Sequence, residues 1–204
     1  MTTDATRASR LRAGMFNLPN QLTFLRLLLS VVLFCFVAAG YYLTSMVLFI
    51  IAAGTDWLDG YYARKYSQVT TLGRILDPFA DKVIVCGTFI FLVAVPVMAE
   101  VPWGLRAWMV VVIVGRELLV TALRSFIEDR GSDFSAKMSG KLKMVLQCVA
   151  AGTCLFYLSY DAPQTKHAAN WCWWLLVVSL WSALFLTIYS GLVYIRAAVR
   201  LLRE

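Results

Sequence analysis

Asp56-Trp57-Leu58-Asp59-Gly60-Tyr61-Tyr62-Ala63-Arg64, eight residues, then Gly73-Arg74-Ile75-Leu76-Asp77-Pro78-Phe79-Ala80-Asp81: this stretch gathers four of the chain's twelve acidic residues into one short segment of an otherwise apolar sequence. Carboxylates beside hydrocarbon are costly unless paired, neutralised or bound to a cation. Asp56 and Asp59 are three apart, and Asp77 and Asp81 are four apart. On helices, each spacing places a pair on one face. Two helices joined by a short basic connection can thus direct four carboxylates at one spot. Salt bridges to Arg64, Lys65, Arg74 and Lys82 are one way to neutralise them. A hard divalent ion, which prefers oxygen ligands and commonly arrives with substrate phosphates, is the other. Four carboxylates at these spacings favour the ion. Gly60 and Ala63 continue the first face, where small residues either let helices approach closely or leave a flat wall for a ligand ring. Pro78 suits the first turn of the second helix, with Asp77 as its cap or just inside it.

Outside this stretch the chain is membrane-like: 204 residues, 60% hydrophobic, mean hydropathy +0.71. Apolar segments recur at about twenty residues each with polar breaks between them, the signal of membrane spans. They fall at 22–39, 44–62, 79–99, 103–127, 142–160 and 171–194. The expected fold is an all-α integral membrane protein, a bundle of six transmembrane helices forming one domain over residues 1–204. Residues 1–18 form a basic cytoplasmic N-terminal segment, and Ala5 to Phe16 within it read as a short interfacial helix or a disordered tail. The N-terminus does not read as a cleavable signal peptide, because its first eighteen residues are polar and basic.

Basic residues set the orientation. Fifteen lie in the N-terminal segment, the second and fourth connections and the C-terminal tail, against Arg106 and Lys166 on the other side. Both termini and the aspartates are therefore expected on the cytoplasmic side. The net charge of +7 reads as topology determination and attraction to anionic lipid, not nucleic-acid binding. The five cysteines all lie in apolar segments without metal-like spacing, so free thiols are expected. His167 reads as a residue of an outer loop.

Asp-x-x-Asp-Gly-x-x-Ala-Arg, eight residues, Gly-x-x-x-Asp-x-x-x-Asp resembles the signature of the CDP-alcohol phosphotransferase family, with every fixed position filled. The family is similar in length and span number, so the resemblance covers nearly the whole chain. It implies an enzyme that transfers a substituted phosphate from a CDP-linked donor to an alcohol and releases CMP. By the same resemblance Asp56, Asp59, Asp77 and Asp81 are ligands of Mg2+ or Mn2+, two ions in all, and Asp81 is also the general base. Gly60, Ala63, Arg64 and Gly73 fall where the family holds CDP. A homodimer in a bacterial-type inner membrane is implied as well.

Asn17-Leu18-Pro19-Asn20-Gln21-Leu22-Thr23-Phe24-Leu25-Arg26 is similar to the opening of the first span in family members that use sn-glycerol 3-phosphate. Asn20 and Thr23 there are either helix caps or contacts to the cytidine nucleotide. Arg116 is embedded in an apolar run and needs a partner or a watery cavity. Either Glu117 or an aspartate neutralises it, or Arg116, Arg124 and Lys141 form an anion pocket for the acceptor phosphate. The pocket is the favoured reading, since all three lie on the aspartate side. The stretch around Gly115-Arg116-Glu117 and Gly140-Lys141-Leu142-Lys143 also resembles the acceptor region of the glycerol 3-phosphate branch, with Met144 where that branch commonly has Thr. The expected substrates are CDP-diacylglycerol and glycerol 3-phosphate. Inositol phosphate, serine and phosphatidylglycerol are the alternative acceptors. A membrane prenyltransferase or a magnesium transporter is a more distant alternative: the first normally has its aspartate motifs far apart, the second wants acidic residues along several spans.

Overall fold

The structure, a computed structural model, describes residues 18–66, 71–128, 138–160 and 170–203. The basic N-terminal segment, with its expected interfacial helix, and His167 lie outside the described residues. The described residues are helical and contain no strand. In chain order the helices are α1 (Leu18–Ala38), α2 (Tyr42–Tyr66), α3 (Thr71–Val93), α4 (Pro96–Glu100), α5 (Ala107–Glu128), α6 (Met138–Tyr160) and α7 (Asn170–Arg203). Two of them are long and apolar enough to cross a membrane, over Leu142–Tyr160 and Trp171–Arg200, and shorter apolar helical stretches run over Thr23–Ala38 and Tyr42–Thr55.

Two expectations about α3 need correction. It begins at Thr71, well before residue 79, so Asp77 and Pro78 lie inside the helix and Pro78 is not in its first turn. The proline lacks the N–H that would bond to the Arg74 carbonyl, a local weakness inside the helix. At its other end α3 stops at Val93, and the apolar run to residue 99 is divided. Val95 is extended (φ −72°, ψ 121°) and Pro96 starts the five-residue α4. A residue before proline is driven out of helical geometry, which apolarity alone does not reveal.

The turn from α1 to α2 is built from one glycine. Gly40 has φ +82°, a left-handed conformation open to glycine without steric cost. Its N–H donates to the Val37 carbonyl at 3.1 Å and that of Tyr41 to Phe36 at 2.9 Å, the paired bonds of a Schellman ending. The Phe36 and Tyr41 rings meet edge to face at 5.9 Å, closing the turn with an apolar contact.

Helix α3 is central, touching α1, α2, α4, α5 and α6, while α7 packs along α6 and α5. The core includes Leu33, Phe89, Leu92, Met98, Met109, Ile113, Leu155, Leu176 and Leu180. Outward faces carry large apolar side chains: Phe24, Val111, Val178 and Phe185 are all well exposed. An apolar coat of this kind marks a surface that meets lipid or another protein. Buried hydroxyls are satisfied within their own helices, as in Ser30 to the Arg26 carbonyl and Thr88 to Ile84. All five cysteines are free.

Helix α1 packs on α3 at Gly87, where a Cβ would overlap the Phe34 ring. That ring is stacked on Phe91 at 4.8 Å with planes 7° apart, so it has little freedom to retreat. Glycine inside a helix costs up to about 1 kcal/mol relative to alanine, whereas overpacking typically costs about 1–3 kcal/mol. Gly87→Ala is therefore expected to destabilise, lowering the melting midpoint of the detergent-solubilised protein. A raised midpoint would show that the ring yields freely.

At the opposite end from the aspartates, indoles tie the loop before α5 to α7. Trp173 Nε1 donates to the Pro102 carbonyl at 3.0 Å and Trp181 Nε1 to Trp103 at 3.0 Å. Indoles with one wet and one apolar side suit a membrane–water boundary.

Candidate active site

The aspartate motif lies on two helices in contact. Asp56, Asp59, Gly60, Ala63 and Arg64 fall in the last turns of α2, and Gly73, Asp77 and Asp81 in α3. These two helices pack on each other and on α1. Helix α1 carries Asn20 and Thr23 inside its length, so neither is the cap of its first turn. Thr23 is fully buried. The side chains of Asn20, Asp56, Asp59, Gly60, Ala63, Arg64, Gly73 and Asp77 lie outside the described residues.

Asp81 is described, and it has a partner the sequence reading did not supply. Arg26 Nη1 of α1 donates to Asp81 Oδ1 at 2.8 Å. The two side chains are unequally placed: Arg26 is 1% exposed and Asp81 27%. The cation is sealed between helices while the carboxylate stands partly open. Arg26 carries the signal that singled out Arg116, a lone cation within an apolar run, here Leu25 to Leu29.

A second polar cluster joins α5, α6 and α7. Arg116 Nη1 lies 3.3 Å from Glu117 Oε1, and its Nη2 donates to Ser190 Oγ at 2.9 Å. Its guanidinium sits 5.5 Å from the Tyr194 ring centre, a favourable cation–π separation. Lys143 Nζ donates to the same Glu117 oxygen. Glu117, Lys143, Ser190 and Tyr194 are all buried. Below them Gln147 donates to Thr187 Oγ1 at 2.9 Å. Gly191 makes room for the Arg116 stem, since a Cβ there would lie 3.1 Å from its Cγ. Neutralisation by Glu117 thus holds for part of Arg116, but its buried Nε has no hydrogen-bond partner among the described residues. Arg124, farther along α5, is exposed. The side chain of Lys141 lies outside the described residues.

The sequence reading quoted Arg26 and Lys143 without giving either a role of its own, and passed over Ser190, Gly191 and Tyr194. Lys143 is the most legible of these, being a cation at the head of an apolar helix. The others owe their roles to helices far away in sequence.

Among the described residues, no group of three or more His, Cys, Asp or Glu side chains could hold a metal. The acidic motif itself is an all-oxygen donor set on two touching helices. That chemistry fits a hard divalent cation and not a soft one.

The sequence pattern of CDP-alcohol phosphatidyltransferases matches residues 16–189. The chain is 36% identical to the CDP-diacylglycerol–glycerol-3-phosphate 3-phosphatidyltransferase of Bacillus subtilis (strain 168), over 88% of this chain and 94% of that protein. It is 36% identical to a probable phosphatidylglycerophosphate synthase of Mycobacterium tuberculosis (strain ATCC 25618 / H37Rv), over 93% of this chain and 85% of that one. To the CDP-diacylglycerol–glycerol-3-phosphate 3-phosphatidyltransferase of Haemophilus influenzae it is 32% identical, over 90% and 94%. With the aspartate motif complete on α2 and α3 and the match running from the head of α1 into α7, the chain belongs to the CDP-alcohol phosphatidyltransferase family.

Proposed function

We propose that this protein transfers the phosphatidyl group of CDP-diacylglycerol to sn-glycerol 3-phosphate, giving phosphatidylglycerophosphate and CMP. It is a phospholipid-synthesising transferase. The observation that carries this reading is the complete acidic motif on touching helices, in a chain similar along most of its length to bacterial proteins named for this reaction.

In the mechanism, Asp56, Asp59, Asp77 and Asp81 hold divalent magnesium or manganese, two ions in all. Held there, such ions would supply positive charge for the donor diphosphate and Lewis-acid polarisation of its phosphorus. Gly60, Ala63, Arg64 and Gly73 bind the CDP portion, with Asn20 and Thr23 contributing from α1. Arg116, Arg124 and Lys141 bind the acceptor phosphate and so orient its free hydroxyl. The Nε of Arg116, without a partner among the described residues, supports this, because a buried donor without an acceptor is costly until a ligand supplies one. Asp81 takes the proton of that hydroxyl. The acceptor oxygen bonds to the lipid-linked phosphorus, and the bond from that phosphorus to the CMP oxygen breaks.

The setting we propose is a six-span bundle in a bacterial-type inner membrane, one domain over residues 1–204, working as a homodimer. Both termini and the site face the cytoplasm. The six helices longer than twenty residues among the described residues and the exposed apolar coat support the span number. The one-sided basic residues support the orientation.

The reaction is tested by supplying purified protein with CDP-diacylglycerol and a panel of alcohols and measuring CMP release. Glycerol 3-phosphate should be the best acceptor, with plain glycerol and serine poor. If serine or phosphatidylglycerol outcompetes it, the acceptor assignment fails while family membership stands. Arg116→Ala removes a charge-assisted contact of about 1.5–3 kcal/mol. The KM for glycerol 3-phosphate should rise about tenfold to a hundredfold, with that for CDP-diacylglycerol little changed. Equal impairment of both would place Arg116 at the donor site or in the fold.

A further inference from the structure

A cation buried between apolar helices is tolerated only with a partner, and Asp81 is one partner of Arg26. The burial is one-sided. Arg26 is almost wholly enclosed and Asp81 partly open, so the guanidinium backs the carboxylate from the sealed side. The contact also joins separate elements, α1 and α3, across 55 residues of sequence. Their spacing is fixed farther along the same two helices, where the Phe34 ring fills the space over Gly87 and stacks on Phe91. The two partners are thus mounted on a helix pair with little room to slide.

We propose that Arg26 is a positioning residue for Asp81: from α1 its planar guanidinium fixes the orientation of the carboxylate that receives the acceptor's proton. This rests on the reading of Asp81 as that base. The Nη1–Oδ1 hydrogen bond is directional and comes from a planar, almost wholly enclosed guanidinium, so it sets the direction of the carboxylate as well as its charge. A lysine at the same place would supply charge on a flexible stem. A misplacement of about 1 Å in a reacting group can cost about 100-fold in rate. Orientation should therefore appear in kcat, not in the binding of either substrate.

The test is a mutant cycle on the full-length protein in detergent micelles, using Arg26→Gln, Arg26→Lys, Asp81→Asn and the Arg26→Gln/Asp81→Asn pair. For each, kcat and both KM values are measured, together with the melting midpoint and Mn2+ affinity by electron paramagnetic resonance. Arg26→Gln should lower kcat about 10- to 100-fold, with both KM values nearly unchanged and Mn2+ still bound. Arg26→Lys should recover part of the rate. In the pair, loss of Arg26 should add nothing to the effect of Asp81→Asn, since residues acting as one unit are non-additive. Losses that multiply would overturn the proposal, as would wild-type kcat in Arg26→Gln. A parallel fall in kcat, substrate binding and Mn2+ affinity would make Arg26 a prop of the fold and also overturn it. If Arg26→Gln does not fold, Arg26→Lys decides alone: wild-type kcat in that variant rejects the need for a guanidinium. Full turnover by Asp81→Asn would instead remove the base assignment, a separate result from additivity in a cycle where Asp81→Asn is slow.

Discussion

Asn in place of Asp56, Asp59 or Asp77 should lower CMP release by orders of magnitude while the melting midpoint stays near that of the wild type. The reason is electrostatic. Four clustered carboxylates repel one another and repel a donor carrying a diphosphate unless a cation lies between them. Each replacement removes one anionic oxygen donor without changing side-chain volume, so packing is conserved and ion binding is not. The same argument predicts no turnover without added magnesium or manganese, and restoration by either. Full turnover in excess chelator would refute the metal assignment. Unfolding of all three Asn variants would assign the aspartates to the scaffold.

The second large effect is expected at Asp81. Asp81→Asn should cost about 10²- to 10⁴-fold in kcat, the range for loss of a general base. CDP-diacylglycerol should still bind, because in the proposed site other groups on α2 and α3 would hold the donor. Asp81 therefore separates from Asp56 by kind of defect: one variant binds and fails to turn over, the other fails to bind productively. Loss of donor binding in Asp81→Asn as complete as in Asp56→Asn would leave Asp81 a ligand and no base.

The sequence made the helices legible through their apolar runs, but it read hydropathy more faithfully than backbone. The first two turns of α3, Thr71 to Pro78, are helical in backbone and mixed in polarity, so an apolarity scan starts the helix too late. The same scan runs past Pro96, whose effect is steric. In the site, the aspartate motif was legible because its geometry is local: residues three and four apart on a helix are neighbours whatever surrounds them. The partners of buried charges were not. Arg26 meets Asp81 across 55 residues and Arg116 meets Ser190 across 74, and only the packing of helices decides such pairings. What could be read was the need: an arginine within an apolar run announces that a partner exists without naming it.

Helix α7 is 34 residues long, which at 1.5 Å per residue is about 51 Å. A bilayer's hydrocarbon layer is about 30 Å thick. A membrane crossed by α7 therefore cannot immerse the helix upright from end to end. The surplus, about 20 Å, equals nearly four turns. At the end shared with Arg116 and Gly140, those turns carry Arg196 and Arg200. With the surplus at that end, these exposed arginines would stand beyond the hydrocarbon, at headgroup height. In the function proposed above, donor and product are both anionic lipids, which positive charge at that height would draw toward the site.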